Sequence, residues 1–143
     1  MAGLPETVDA VTVCFEESTN MAIRPHILFV DDDSDIRDLV QLMLQTAGFH
    51  VLTTDRPADV LRLAATERFD LLLLDLWMPN LTGVDLCRQI RTFDQATPIL
   101  ICSGAVSEAD KKQAILAGAQ GYVRKPFHSK DLIQTLRRYL ELS

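Results

Sequence analysis

Three short runs of uninterrupted apolar residues, "ILFV" at 27–30, "LLLL" at 71–74 and "ILIC" at 99–102, constrain this chain more than any other feature. A strand with one face in water alternates apolar and polar residues, whereas a strand with no polar member has to be covered on both faces. Segments with helical spacing separate the runs, so the expected arrangement is a parallel sheet with helices packed on each side. "HVLTT" at 50–54 reads as a weaker strand and "GYVRK" at 121–125 as the last.

The helices are legible from their apolar spacing. Ile36, Val40, Met43 and Ala47 keep i, i+4, i+7, i+11 spacing, and Gly48 follows as a stop. After Pro57, Val60, Leu61 and Ala64 are expected to face inward. A third helix covers Val84 to Arg91, and a fourth runs from Glu108 to Ala117 before Gly118. The fifth carries Leu132, Leu136, Tyr139 and Leu140 on one side. Five strands alternating with five helices, joined by right-handed crossovers, make a doubly wound α/β sheet. Folds of this kind take their ligands outside the carboxyl ends of the strands.

Composition narrows the function classes. The chain has 143 residues, 48% hydrophobic and 24% charged, which suits one globular domain with a real core. A formal net charge of −6 gives no electrostatic draw toward nucleic acid, so direct nucleic-acid binding is not expected. Cys14, Cys87 and Cys102 are odd in number and widely spaced, which fits neither a disulfide framework nor a zinc site and points to a reducing cytoplasm. No run approaches the ~18 apolar residues of a membrane span. The first twenty residues carry Glu6, Asp9, Glu16 and Glu17 and no basic lead, so they do not read as a secretory signal. Residues 1–25 stand apart as an N-terminal extension, for which a disordered lead, a short packed element or sequence upstream of a start at Met21 all fit. The domain proper is expected over 26–142.

The strand ends hold the chemistry. The first strand runs into Asp31, Asp32 and Asp33, the third into Asp75, the fourth into Ser103 and the fifth into Lys125. Carboxylates about 4 to 5 Å apart repel by roughly 4 kcal/mol per pair at an effective dielectric near 20. A divalent cation relieves that repulsion, and oxygen donors without His or Cys select a hard ion such as Mg²⁺. Mg²⁺ on one or two carboxylates suggests phosphoryl chemistry, in which a carboxylate can itself be the nucleophile. Lys125 would then meet phosphoryl oxygens as a point charge, with the Ser103 hydroxyl donating a hydrogen bond. Asp33 or Ser34 fits the cap of the first helix and Asp35 its positive end. An EF-hand is rejected, because Ile36 stands where the loop needs Gly and Leu42 where it needs Glu. His26, His50 and His128 show no ligand or triad spacing.

"ILFVDDDSDIR", "LLLLDLWMPNLTG", "ILICSG" and "GYVRKPF", in this order and at these spacings, resemble the receiver domain of two-component response regulators over essentially all of residues 26 to 142. The resemblance implies a flavodoxin-like (βα)5 fold with strand order 2-1-3-4-5. It implies Asp75 as phosphoacceptor, Asp32 as a direct Mg²⁺ ligand, Asp31 as a partner through water, and the Trp77 backbone carbonyl as the remaining protein ligand. Ser103 takes the family's hydroxyl switch position, Tyr122 its aromatic switch position and Lys125 its phosphate-binding position, with a cis Lys125–Pro126 bond. The implied phosphodonor is a histidine kinase or a histidine phosphotransfer protein. The face of the fourth helix, fifth strand and fifth helix would then change its affinity for a downstream protein, as a monomer or a phosphorylation-dependent dimer.

Departures from the commonest pattern are small: Ser103 and Gly104 stand where Thr and Ala are more frequent. Trp77 and Ala105, flanking the family's attacking-water path, lack polar groups, so self-dephosphorylation is expected to be slow. A signalling receiver is thus expected rather than an enzyme with a separate substrate. A haloacid-dehalogenase-type phosphatase also begins with Asp-x-Asp, but it needs an acidic pair after the lysine, and only Asp131 and Glu141 follow here. A phosphorylation-independent adaptor on the same fold is the other rival. The chain stops just past the fifth helix, which fits either a stand-alone receiver or one excised from a larger regulator or hybrid kinase.

Overall fold

In a computed structural model, residues 24–105 and 107–142 are described, so the readings made for residues 1–23 lie outside the described residues. Five strands, β1 (His26–Val30), β2 (His50–Thr54), β3 (Leu71–Asp75), β4 (Ile99–Ser103) and β5 (Gly121–Arg124), alternate with five helices. The helices are α1 (Ser34–Thr46), α2 (Pro57–Thr66), α3 (Gly83–Arg91), α4 (Glu108–Leu116) and α5 (Ser129–Leu142). All strand pairs are parallel and the sheet order is β2-β1-β3-β4-β5, the doubly wound order expected from the resemblance.

The apolar runs behave as an interior sheet requires. In β3 and β4 every residue is buried, and in β1 only His26 is not. Alternation then sorts their side chains between two cores. Leu28, Val30, Leu72, Leu74, Ile99 and Ile101 pack with Val60 and Leu63 of α2, Leu86 and Ile90 of α3 and Ala114 of α4. Ile27, Phe29, Leu71, Leu73, Leu100 and Cys102 face the other way, onto Val40 and Leu44 of α1 and Leu132 and Leu136 of α5.

Local signals fix the boundaries. Asp33 caps α1, accepting hydrogen bonds from the Asp35 and Ile36 amides, and Thr82 and Ser107 cap α3 and α4 in the same way. Pro57 opens α2, where its fixed φ suits a first turn. Gly48 and Gly118, with φ of 97° and 106°, turn the chain after α1 and α4, a conformation that other residues adopt at a cost.

On α1 the expected stripe holds: Val40 is buried, Ile36, Met43 and Ala47 pack against the same core, and Leu44 is buried beside them. Two expectations need correction. On α2, Val60 and Leu63 are the buried residues, while Leu61 and Ala64 are half-buried. The last strand ends at Arg124, which leaves Lys125 one residue beyond it.

Because Leu73 has no exposed surface, truncation would leave a cavity that the sheet cannot collapse around. Leu73→Ala is expected to lower the unfolding free energy by about 2–5 kcal/mol with an unchanged denaturant slope, as measured by urea or guanidinium titration.

Candidate functional site

The sheet brings residues far apart in sequence to one edge. Asp31 follows β1, Asp75 closes β3 beside Cys102 of β4, Ser103 closes β4 beside Arg124, and Lys125 follows β5. One carboxylate oxygen from each of Asp31, Asp32 and Asp75 can be chosen so that all three lie within 4.8 Å of one another. Asp31 and Asp75 are buried, at 1% and 5% exposure, while Asp32 faces solvent. Lys125 Nζ donates to Asp31 Oδ2 at 2.6 Å and to Asp75 Oδ1 at 3.1 Å, bridging the two buried acids.

Backbone amides tie down the chain around this cluster. Asp31 Oδ1 accepts the Asp33 amide at 2.9 Å, so each oxygen of this buried carboxylate has a partner. The Leu76 amide donates to the Cys102 carbonyl at 2.8 Å, and the Gly83 amide donates to the Leu76 carbonyl at 2.9 Å. Residue 83 has to be glycine: a Cβ there would run into the Asp75 carbonyl oxygen and lie 3.0 Å from its carbon. The first turn of α3 is thereby seated directly on the backbone that carries Asp75. Between them Asn80 adopts φ 71°, a left-handed turn that Asn tolerates better than most residues.

Burial sets the charge balance. Burial, and then the neighbouring Asp31 carboxylate, push Asp75 up to about 6, with Lys125 pulling in the opposite direction. Burial works against the Lys125 charge, but its hydrogen bond to Asp31 and the charges of Asp75 and Asp31 outweigh that and raise it. Directly below, the fully buried Cys102 thiol is pushed well above its ordinary value by burial and has the character of a core residue.

The other predicted residues lie around this centre. Ser103 is 1% exposed, and its hydroxyl donates to the Ala105 carbonyl at 2.9 Å, tying down the loop that leads to α4. The Tyr122 hydroxyl is buried and meets no hydrogen-bond partner at bonding geometry; burial raises its pKa, which the nearby Ser103 side chain offsets in part. Trp77 is 60% exposed. The Lys125–Pro126 bond is cis. Two contacts had no distinctive sequence signal, namely the reach of Lys125 to Asp31 as well as Asp75, and the Arg37 guanidinium donating to the Asp31 carbonyl at 2.8 Å.

Three donors that are all carboxylate oxygens, with two buried and one open to water, suit a hard cation that keeps part of its hydration, as Mg²⁺ does. No helix among the described residues is long and apolar enough to cross a membrane.

Comparisons with known proteins point the same way. The family model described as the response regulator receiver domain matches residues 27–137. The cell cycle transcriptional regulator CtrA of Caulobacter vibrioides is 35% identical over 117 residues, covering 82% of this chain and 51% of that protein. The CtrA response regulator of Brucella ovis is 36% identical over 117 residues, with 82% and 50% covered. The chain thus spans about half the length of these curated relatives. Among solved structures, chemotaxis protein CheY4 of Vibrio cholerae superposes with a TM-score of 0.79 at 34% identity, over 81% of this chain and 98% of that one. The receiver domain of sensor histidine kinase PA1611 from Pseudomonas aeruginosa, described with a magnesium ion coordinated in its active-site cleft, gives 0.76 at 27% identity, over 82% and 98%.

Burial holds Asp75 at about 6 in the folded chain, above the ordinary carboxylate value of 3.8, so its ionised form is disfavoured by folding. The folded state then binds the proton more tightly, and the stability associated with it is present at low pH and lost as pH rises through about 6. In metal-free protein, Asp75→Asn is expected to raise the melting midpoint at pH 7.5. The gain should shrink between pH 6 and 4 in a pH series of thermal melts.

Proposed function

Because this chain belongs to the response regulator receiver domain family, we propose that it is the phosphoacceptor of a two-component phosphorelay, taking a phosphoryl group on Asp75. A receiver is a signalling domain, and its reaction is its own modification. The observation that carries the reading is the convergence of Asp31, Asp32 and Asp75 within 4.8 Å with Lys125 bonded to two of them. The proposed receiver unit is 26–142, with 1–25 as an extension, acting in the cytoplasm.

With Asp75 titrating at about 6, most of it is carboxylate at neutral pH and competent as a nucleophile. One of its oxygens attacks the phosphorus of a phosphohistidine on a histidine kinase or phosphotransfer protein. The new O–P bond forms as the N–P bond breaks, and the bonding pair returns to the imidazole nitrogen. Asp31, Asp32, Asp75 and the Trp77 carbonyl would hold Mg²⁺, which supplies charge neutralisation for the transferring group when bound. Lys125, already positioned on Asp75, supplies a fixed positive charge to phosphoryl oxygens without reorganisation.

The switch follows from what Ser103 gives up. The phosphoryl group adds nearly two negative charges and strong acceptors. The Ser103 hydroxyl turns to it, which deprives the Ala105 carbonyl of its 2.9 Å hydrogen bond and frees the loop before α4. Tyr122, whose hydroxyl is buried without a partner, moves into the space so vacated. The α4–β5–α5 face then differs for its downstream protein target. Loss of the signal would be slow, because Trp77 and Ala105 offer no polar group to a hydrolytic water.

The haloacid-dehalogenase-type reading is not favoured. Its second acidic pair is not among Asp31, Asp32 and Asp75, the one metal-suited group among the described residues, and the family match is to the receiver.

A small-molecule phosphodonor with Mg²⁺ is expected to label the wild-type chain and leave Asp75→Asn unlabelled. Loss of labelling in a folded wild type would overturn the reading. The acyl phosphate, followed by its decay after donor removal, should last far longer than seconds, and a lifetime of seconds would overturn the assignment of Trp77 and Ala105.

A further inference from the structure

The junction of β1 and α1 is closed by hydrogen bonds, and Arg37, in the first turn of α1, pairs with no carboxylate among the described residues. Asp31 Oδ1 accepts the Asp33 amide at 2.9 Å, and Asp33 Oδ1 accepts the Asp35 and Ile36 amides at 2.9 and 3.3 Å. The Arg37 amide donates to the Asp33 carbonyl at 3.0 Å. From the first turn of α1 the Arg37 side chain reaches back six residues, and Nη1 donates to the Asp31 carbonyl at 2.8 Å. Asp31, Asp32, Asp33 and Asp35 all lie within this span, yet none of the ion pairs among the described residues involves Arg37.

This choice of acceptor has a chemical consequence. A guanidinium paired with Asp32 would occupy carboxylate oxygens that a cation needs. Bonded to the neutral carbonyl between the two acids, it fixes the backbone while leaving the Asp32 oxygens open. We propose that Arg37 is a positioning residue for the metal site: it clamps the Asp31 carbonyl so that the carboxylates of Asp31 and Asp32 stand ready beside Asp75 before a cation arrives. The inference rests on the Mg²⁺ site proposed above and adds to it a residue outside the ligand set.

A plain electrostatic role predicts the opposite sign. A positive charge near a cation site repels the cation, so removing it should tighten binding. Removing a clamp should loosen binding, on the order of the tenfold typical when a group that orients a metal ligand is lost.

The test is a Mg²⁺ titration of the full chain, followed through Trp77, the only tryptophan, in wild type, Arg37→Met, Arg37→Lys and Asp32→Asn. Arg37→Met is expected to bind about tenfold more weakly, and Arg37→Lys, which can still reach the carbonyl, should recover most of the loss. Equal or tighter binding in Arg37→Met overturns the clamp while leaving the metal site intact. No response in wild type, matching Asp32→Asn, removes the metal site itself and the clamp with it. Metal-free hydrogen exchange provides a readout independent of metal: faster exchange confined to the Asp33, Asp35 and Ile36 amides in Arg37→Met supports the clamp. A uniform change across β3 as well would show general destabilisation and overturn it.

Discussion

A parallel sheet buried on both faces leaves its polar chemistry only the strand ends, and everything functional in this domain follows from that constraint. Every residue of β3 and β4 is buried, so Asp75 and Ser103 are the first polar side chains those strands can carry, each at the last position. The same packing fixes their relative positions. Asp75 cannot move without Leu74 and the β4 partner Cys102, and those side chains lie in two different cores. The rigidity of the site is thus the rigidity of the sheet, reinforced at one point by glycine, where α3 rests on the Asp75 carbonyl.

Burial of two acids side by side is costly unless a cation accompanies them. Lys125 meets that need from the far end of the chain, joining the ends of β1 and β3 across separations of 94 and 50 residues. Its ammonium neutralises part of the charge but not all, since Asp75 still lies at about 6 and Asp32 remains open to water. Such a residual imbalance is what a second, exchangeable cation would use, since burial and the Asp31 charge favour the protonated form of Asp75 in its absence.

Much of this was legible in the sequence, because each run of apolar residues was long enough to exclude alternation. The five strands could be placed from "ILFV", "HVLTT", "LLLL", "ILIC" and "GYVRK", and the caps from Asp33, Pro57 and the glycines. On α2 Val60 was placed correctly, but Leu63 was missed, since Leu61 and Leu63 are equally apolar and the local pattern does not choose between them. The convergence of Asp31, Asp75, Ser103 and Lys125 followed once the sheet was parallel. What local pattern did not carry was long-range reach: nothing in "DIRDLV" distinguishes an arginine that returns to Asp31 from one that points to solvent.

The same physics bears on why a local charge change at Asp75 would reach a protein surface through α4 rather than through α3. Helix α3 buries Gly83, Val84, Leu86, Cys87 and Ile90, and its first turn is locked on the β3 backbone. Helix α4 buries Ala114 alone, and exposes Ile115 and Leu116. A helix held by so little apolar area is stabilised by its ends. Its C-terminal end is secured where Arg91 donates to the Gly118 carbonyl at 3.0 and 2.9 Å, whereas at its N-terminal side the described residues are held by the Ser103 hydroxyl bonded to Ala105 and by the Ser107 cap. Withdrawing that hydroxyl toward the phosphoryl group proposed for Asp75 would release the end nearest Asp75 and leave the other anchored, so the motion expected from the proposal is a pivot of α4 about its Arg91 end.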